Sequence, residues 1–281
     1  MTGAYYGKNG AIRPVSEAVV SLDDINFAYG YGVYETLKVR HGVVYFPDRH
    51  AERLISSAAV IGLEHPFDRR GIEGTIVELT RANGLRDANM KLLLIGPPEV
   101  DDPSGATLYA FMLNPYFPPR NLYRNGAAAV SVEAERRFPQ SKSLDMLSST
   151  IAYRGASRAG AYDALLTDRE GRITEGTRTN LFYTDGTALY EPPAATSLLG
   201  VTRLTLREML GRQGVEVLER PLLRSEVGTF AGYFLTSTSS KVLPLARIDS
   251  HRFEIPEIIR RVMRDYDAFL EEYRAGRPSV S

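Results

Sequence analysis

The spacing of apolar and polar residues changes period several times along the chain, and each change marks an element. Strand-like alternation runs over residues 33–39 and 42–46, and the His41-Gly42 pair between them predicts a tight hairpin. From 48 to 61 the period lengthens to that of a helix, with Leu54, Ala58 and Ile61 on one face. A second helix is predicted over 68–83, stopped at Asn83-Gly84. Residues 91–95 and 107–113 read as strands. Near the N-terminus Asn9-Gly10 marks a turn and 17–22 is a short β-prone run. The Pro-rich stretch 114–125 then interrupts the pattern. Beyond it, strands are expected at 127–134, 162–167, 180–183, 215–218, 231–236 and 242–248. Helices are expected at 145–159, 201–212 and 255–273, the second carrying Leu204, Leu206 and Leu210. Strands in clusters with helices between them predict two mixed α+β (α/β) domains rather than a regular βαβ repeat. Their expected bounds are a small N-terminal domain over 1–116, a linker over 117–125 and a larger domain over 126–281.

Composition narrows the partners. The 281 residues are 43% hydrophobic and carry a formal net charge of zero, which removes the electrostatic case for nucleic acid or an anionic membrane. No run approaches the roughly 20 apolar residues of a membrane helix. With no cysteine there is no thiolate nucleophile, disulfide or zinc-thiolate site, and no metal site is expected. The first residues, MTGAYYGKNGAIRP, lack the apolar core of a signal peptide, so the expectation is a cytoplasmic protein.

Lysine is scarce. Lys8, Lys38, Lys91, Lys142 and Lys241 are the whole set. Lys8 sits in a turn, and Lys38 and Lys91 alternate within strands, where each reads as solvent-facing. Lys142 differs, lying in Ser-Lys-Ser between a strand and a helix. Downstream come Arg172-Ile173-Thr174-Glu175-Gly176-Thr177-Arg178-Thr179-Asn180, then Leu199-Gly200-Val201-Thr202-Arg203 at a helix mouth, then Thr236-Ser237-Thr238-Ser239-Ser240 ending a strand. Upstream lie Tyr29-Gly30-Tyr31-Gly32-Val33-Tyr34-Glu35 and Asp48-Arg49-His50-Ala51-Glu52-Arg53.

In these blocks and their order the chain resembles the fold-type IV pyridoxal-phosphate enzymes, which include branched-chain and D-amino-acid aminotransferases, (R)-amine transaminases and aminodeoxychorismate lyase. The resemblance implies a two-domain fold and pyridoxal 5'-phosphate as cofactor. Lys142 matches the Schiff-base lysine, which also shuttles a proton at the substrate; its amine must be neutral to do so. Glu175 matches the carboxylate facing the pyridine nitrogen, which it keeps protonated. Arg53 matches the arginine on the cofactor phosphate; the bland alternative is a surface ion pair with Glu52 or Asp48. Val201 and Thr202 match the helix N-terminus that receives the phosphate, where amides and the helix dipole suit a dianion, although an ordinary threonine N-cap would look the same. Thr238 and Ser239 match a hydroxyl turn near phosphate and substrate. Tyr34 matches a tyrosine lining the substrate site.

The departures concern the substrate. Ser143-Leu144-Asp145 replaces the common Ser-Leu-Asn, and Asp145 is expected to cap the following helix. Met90-Lys91-Leu92-Leu93-Leu94-Ile95-Gly96 contains neither the Arg-x-His of D-amino-acid aminotransferases nor the Tyr-x-Arg of branched-chain enzymes. Arg178, aided by Lys241, is the candidate for binding the substrate carboxylate instead. The expected activity is a ping-pong transfer of an amino group between an amino acid, with a lean to D-amino acids, and a 2-keto acid, in a homodimer. Alternatives are an L-branched-chain or (R)-amine transaminase, or aminodeoxychorismate lyase releasing pyruvate and 4-aminobenzoate.

Overall fold

The computed structural model describes residues 1–99 and 102–279, which fall into two compact units. Unit 1 comprises Met1–Tyr116, Ser141–Asp145 and Tyr273–Ser281; unit 2 comprises Phe117–Gln140 and Met146–Glu272. The short Ser141–Asp145 segment therefore groups with the first unit, not with the larger C-terminal domain to which the sequence reading assigned Lys142.

Unit 1 contains β1 (Tyr5–Lys8), β2 (Ala11–Pro14), α1 (Ile25–Tyr29), β3 (Gly32–Arg40), β4 (Val43–Val44), α2 (Pro47–Val60), α3 (Arg69–Asn83), β5 (Ala88–Ile95) and β6 (Thr107–Leu113). The strands form one sheet in the order β2-β1-β6-β5-β3-β4, antiparallel throughout. The β3–β4 turn forms at His41 and Gly42, both at positive φ, as a two-residue hairpin requires. Asp68 caps α3 by accepting from the Gly71 N–H. One sheet face carries Val33, Leu37, Met90, Leu92, Leu94, Leu108 and Ala110, which pack with Leu54 of α2 and Ile72, Ile76 and Leu79 of α3. Strand alternation sends Tyr34, Thr36, Lys91 and Leu93 to the other face. Residues 17–22 form no strand; a short 3-10 turn at Val15–Glu17 precedes a solvent-exposed stretch. Local β propensity there is not matched by strand pairing with any described residue.

Unit 2 contains α4 (Arg120–Asn125), β7 (Ala127–Glu133), α5 (Leu147–Arg158), β8 (Asp163–Thr167), β9 (Arg172–Gly176), β10 (Asn180–Thr184), β11 (Leu189–Glu191), α6 (Val201–Arg212), β12 (Val217–Glu219), β13 (Leu222–Leu223), β14 (Gly232–Ser237), β15 (Lys241–Ile248), β16 (His251–Arg252) and the start of α7 (Glu257–Ala275). The sheet order is β12-β11-β10-β14-β15-β7-β8-β9-β13, with β16 on β15. The pairs β15–β7, β7–β8 and β11–β12 are parallel and the rest antiparallel, so the sheet is mixed. Two features differ from the sequence expectation. The end of the supposed linker is helical, as α4. Asp145 does not cap α5, which starts after Met146 with no side-chain cap.

Candidate active site

The lysine segment is held by the backbone of β3. Ser143 bridges to Val33, the Tyr34 N–H donates to the Lys142 carbonyl at 2.9 Å, and the Leu144 N–H donates to the Gly32 carbonyl at 2.9 Å. Strand β4 pairs only with Val39 and Arg40, so the Gly32–Tyr34 end of that edge is open to this segment. Ser57 of α2 fixes it from a second direction. Its hydroxyl accepts from the Lys142 N–H at 3.1 Å, and its carbonyl accepts from the Ser141 hydroxyl at 2.8 Å. The backbone of Lys142 is thus pinned while its ammonium lies 4.6 Å from the centre of the Tyr34 ring.

On the helix-packed side of the same strand sits a buried ionic cluster. Glu35 is fully buried and accepts from Arg53 Nε at 2.6 Å and Arg53 Nη2 at 2.7 Å, a bidentate pair. His50 Nδ1 lies 2.7 Å from the same carboxylate. Burial opposes ionisation of Glu35, but Arg53 and His50 outweigh it and hold the carboxyl well below the usual carboxylate range. Burial pushes the His50 imidazole down against the pull of Glu35. Arg53 is accordingly not in a surface pair with Glu52 or Asp48. Sequence reasoning missed Glu35 and His50, although a signal existed: Glu35 occupies an apolar phase of its strand, between Val33 and Leu37. Lys38, expected in solvent, is also buried and donates to the Tyr116 carbonyl at 2.6 Å.

In unit 2, Glu175 stands near the end of β9 and is almost fully buried. Arg136 Nη1 donates to its Oε1 at 3.0 Å, and the Leu198 N–H donates to its Oε2 at 3.2 Å. It is not the solvated turn carboxylate that a Glu-Gly pair usually signifies. The loop bearing Leu198 is clamped by Arg203, a buried guanidinium in the first turn of α6. Arg203 donates through Nε to Glu191 at 2.7 Å, through Nη1 to the Ser197 hydroxyl at 2.8 Å and through Nη2 to the Pro192 carbonyl at 3.0 Å. Asn180 Nδ2 holds the Leu198 carbonyl at 2.7 Å. Gly200 precedes α6 and packs so closely on Asn180 that a Cβ would fall 2.1 Å from its Oδ1.

Helix α6 begins at Val201 and Thr202 with no side-chain cap, so Thr202 is not an ordinary N-cap and the first amides lack intrahelical partners. Thr238 and Ser239 form the turn after β14, half-exposed. Thr236, which sequence reading passed over, has its hydroxyl buried without a hydrogen-bond partner among the described residues. These groups fit a phosphorylated pyridine. Within the second unit, Glu175 could pair with a protonated ring nitrogen, and the uncapped α6 terminus and the hydroxyls could hold a phosphate dianion. Two expected contributors lie differently. Arg178 is exposed with its guanidinium 3.6 Å from the Tyr153 ring centre, and Lys241 is exposed with its ammonium 2.6 Å from Asp267. Among the described residues no cluster of metal-ligating side chains occurs, and no helix is long and apolar enough to cross a membrane.

The sequence and fold have known counterparts. A family model described as amino-transferase class IV matches residues 32–248. The chain is 30% identical over 247 residues to a D-alanine aminotransferase of Bacillus licheniformis, covering 86% of this chain and 87% of that one. It is 31% identical over 255 residues to a probable branched-chain-amino-acid aminotransferase of Rickettsia bellii, covering 87% of each. The solved T.th. branched-chain amino acid aminotransferase, complexed with N-(5'-phosphopyridoxyl)-L-glutamate, superposes with a TM-score of 0.86 at 24% identity, covering 100% of this chain and 97% of that one.

Proposed function

Because the chain belongs to the class IV aminotransferases, pyridoxal-phosphate enzymes with this mixed α/β fold, we propose that it moves an amino group between an amino acid and a 2-keto acid in two successive half-reactions centred on Lys142. When bound, the cofactor supplies an electron-withdrawing ring that stabilises charge left on carbon. The chain's own residues do the rest. Lys142 Nζ would hold the cofactor and, as a free amine, would take the proton from the substrate Cα and later return it. The pinned backbone of Lys142 favours one trajectory for that proton. Glu175, fixed by Arg136 and the Leu198 amide, would keep the ring nitrogen protonated. In the second unit the amides of Val201 and Thr202 and the hydroxyls of Thr202, Thr238 and Ser239 would hold the phosphate; in the first, Arg53 is the proposed phosphate ligand and Tyr34 the proposed substrate-lining residue.

The observation that carries this reading is Lys142 itself, a lysine with a rigid backbone beside an aromatic ring. We take D-amino acids as the first donors to test: β5 carries neither the Tyr-x-Arg of branched-chain enzymes nor the Arg-x-His of D-amino-acid ones, and the chain resembles a D-alanine aminotransferase as closely as a branched-chain one. A homodimer is the expected working form, supported by the exposed apolar side chains Val19, Leu22, Ile25 and Tyr29. Mixing the pyridoxal form with single amino acids and following the cofactor absorbance tests the reading. D-alanine should discharge the band and L-leucine should leave it. The reverse result assigns L-amino acids, and a band that survives every amino acid rules out amino transfer.

A further inference from the structure

One buried carboxyl group in unit 2 takes no part in the chemistry described above. Asp163 opens β8 and is fully buried. Its Oδ1 accepts from the Thr177 hydroxyl at 2.5 Å and from the Ala164 N–H at 2.9 Å, and its Oδ2 accepts from the Thr179 hydroxyl at 2.8 Å. Two hydroxyls and an amide thus satisfy a group whose burial is costly. Arg178, between the two threonines, is exposed and stacks on Tyr153. Asp163 therefore grips the turn between β9 and β10 on both sides of its tip. The grip is close. At Gly176 a Cβ would fall 2.1 Å from Thr179 Oγ1 and 2.7 Å from Asp163 Oδ2, so only glycine fits. The Gly176 N–H closes the turn on the Thr179 carbonyl at 2.8 Å, and the Thr177 N–H ties it to the Ala164 carbonyl at 3.0 Å.

Both flanks of this turn lead to Glu175. On one side Glu175 directly precedes Gly176, so the turn fixes where its strand ends. On the other, Asn180 begins β10 and donates from Nδ2 to the Leu198 carbonyl at 2.7 Å. The Leu198 N–H in turn donates to Glu175 Oε2 at 3.2 Å. The two routes close a ring through the carboxylate. A shift of the turn moves Glu175 along its strand and Leu198 along with Asn180, and the two need not move together. A misplacement of about 1 Å can cost about 100-fold in a positioned contact. We propose that Asp163 is a positioning residue: through Thr177 and Thr179 it sets the turn that aims the Glu175 carboxylate. The proposal rests on the aminotransferase reading, in which that carboxylate faces the ring nitrogen of the cofactor.

The test uses the full chain with three substitutions. Asp163→Ala removes the grip, Asp163→Asn keeps the volume and one acceptor oxygen, and Thr179→Val deletes one hydroxyl at nearly constant shape. Hydrogen exchange at the Leu198 amide reads its bond to Glu175 and needs no cofactor. Exchange there should quicken about 10-fold or more in Asp163→Ala and less in the other two, while the amides of the β3–β5 pair keep wild-type rates. Cofactor titrations then compare pyridoxal phosphate with 1-deazapyridoxal phosphate, which has carbon in place of the ring nitrogen. Wild type should favour the former by about 10- to 100-fold, the worth of a charge-assisted hydrogen bond. Asp163→Ala should lose most of that preference, as should Glu175→Gln, whereas a loss of stability alone weakens both cofactors alike. Asp163→Asn should recover a large part. If Asp163→Ala does not fold, Thr179→Val carries both readouts in the same direction. Unchanged Leu198 exchange, an acceleration shared equally by the β3–β5 amides, or a wild-type preference kept intact in Asp163→Ala would each overturn the proposal. If wild type and Glu175→Gln bind the two cofactors alike, the earlier reading of Glu175 fails, and Leu198 exchange alone then decides whether Asp163 holds that carboxylate in place.

Discussion

Replacing Glu35 by glutamine removes one charge from a buried cluster and almost no volume. Wild-type Glu35 is fully buried and holds both Arg53 and His50 at 2.6 to 2.7 Å. No cavity forms, so the transfer and cavity terms of a core truncation drop out. What remains is Arg53, whose side chain is only 11% exposed, facing a neutral amide. Breaking a buried ion pair by removing one partner costs about 3–5 kcal/mol, because the surviving charge stays desolvated. The amide oxygen keeps one acceptor, which favours the lower end, about 3 kcal/mol. For a chain of this length that corresponds to a fall of roughly 6–12 °C in the midpoint of thermal unfolding. The pH dependence carries a sign. Glu35 is depressed from 4.5, so its stabilisation is complete above that value and is lost as pH falls below it. The gap between wild type and Glu35→Gln should be widest near neutrality and narrow in acid. Urea unfolding at several pH values, with Arg53→Gln and the double variant completing a cycle, measures it. A Glu35→Gln protein within about 1 kcal/mol of wild type at neutral pH, or a gap that does not narrow in acid, refutes the reasoning.

Arg203→Met should lower stability by about 3–5 kcal/mol, since it leaves buried Glu191 to Arg207 alone and strips donors from Ser197 and Pro192; differential scanning calorimetry would show it. Arg136→Gln should loosen the cofactor roughly tenfold in a fluorescence titration by taking a charged donor from Glu175, and unchanged affinity would show that Leu198 suffices. Asp163 is buried, which pushes its carboxyl above 3.8 against the Thr177 and Thr179 hydroxyls. Its folded form keeps a proton that the unfolded chain releases, so stability from this group is lost as pH rises through the folded value. Asp163→Asn should therefore gain on wild type between pH 4 and pH 7 in urea unfolding, and a constant difference would contradict that sign.

The sequence by itself determined most of the elements, because each is a local matter of period and punctuation. Alternation located β3 and β6, the longer period located α2 and α6, and Asp68 and Gly84 bounded α3 through an N-cap and a left-handed turn. Scarcity of lysine and the order of the blocks made Lys142 and Glu175 the candidates. Tertiary structure decided the rest, because it depends on which residues meet across the chain. Alternation marks Glu35 as an oddity in its strand, but only α2 packed on β3 supplies His50 and Arg53 to make that charge tolerable. The exposed run at 17–22 has strand composition but pairs with no strand among the described residues, so propensity alone did not make it one. Lys91 and Lys38 look alike in a strand pattern. Register alone sent one to a backbone carbonyl and the other to the ring beside Lys142, since contact across a sheet is fixed by pairing and not by the identity of the residue.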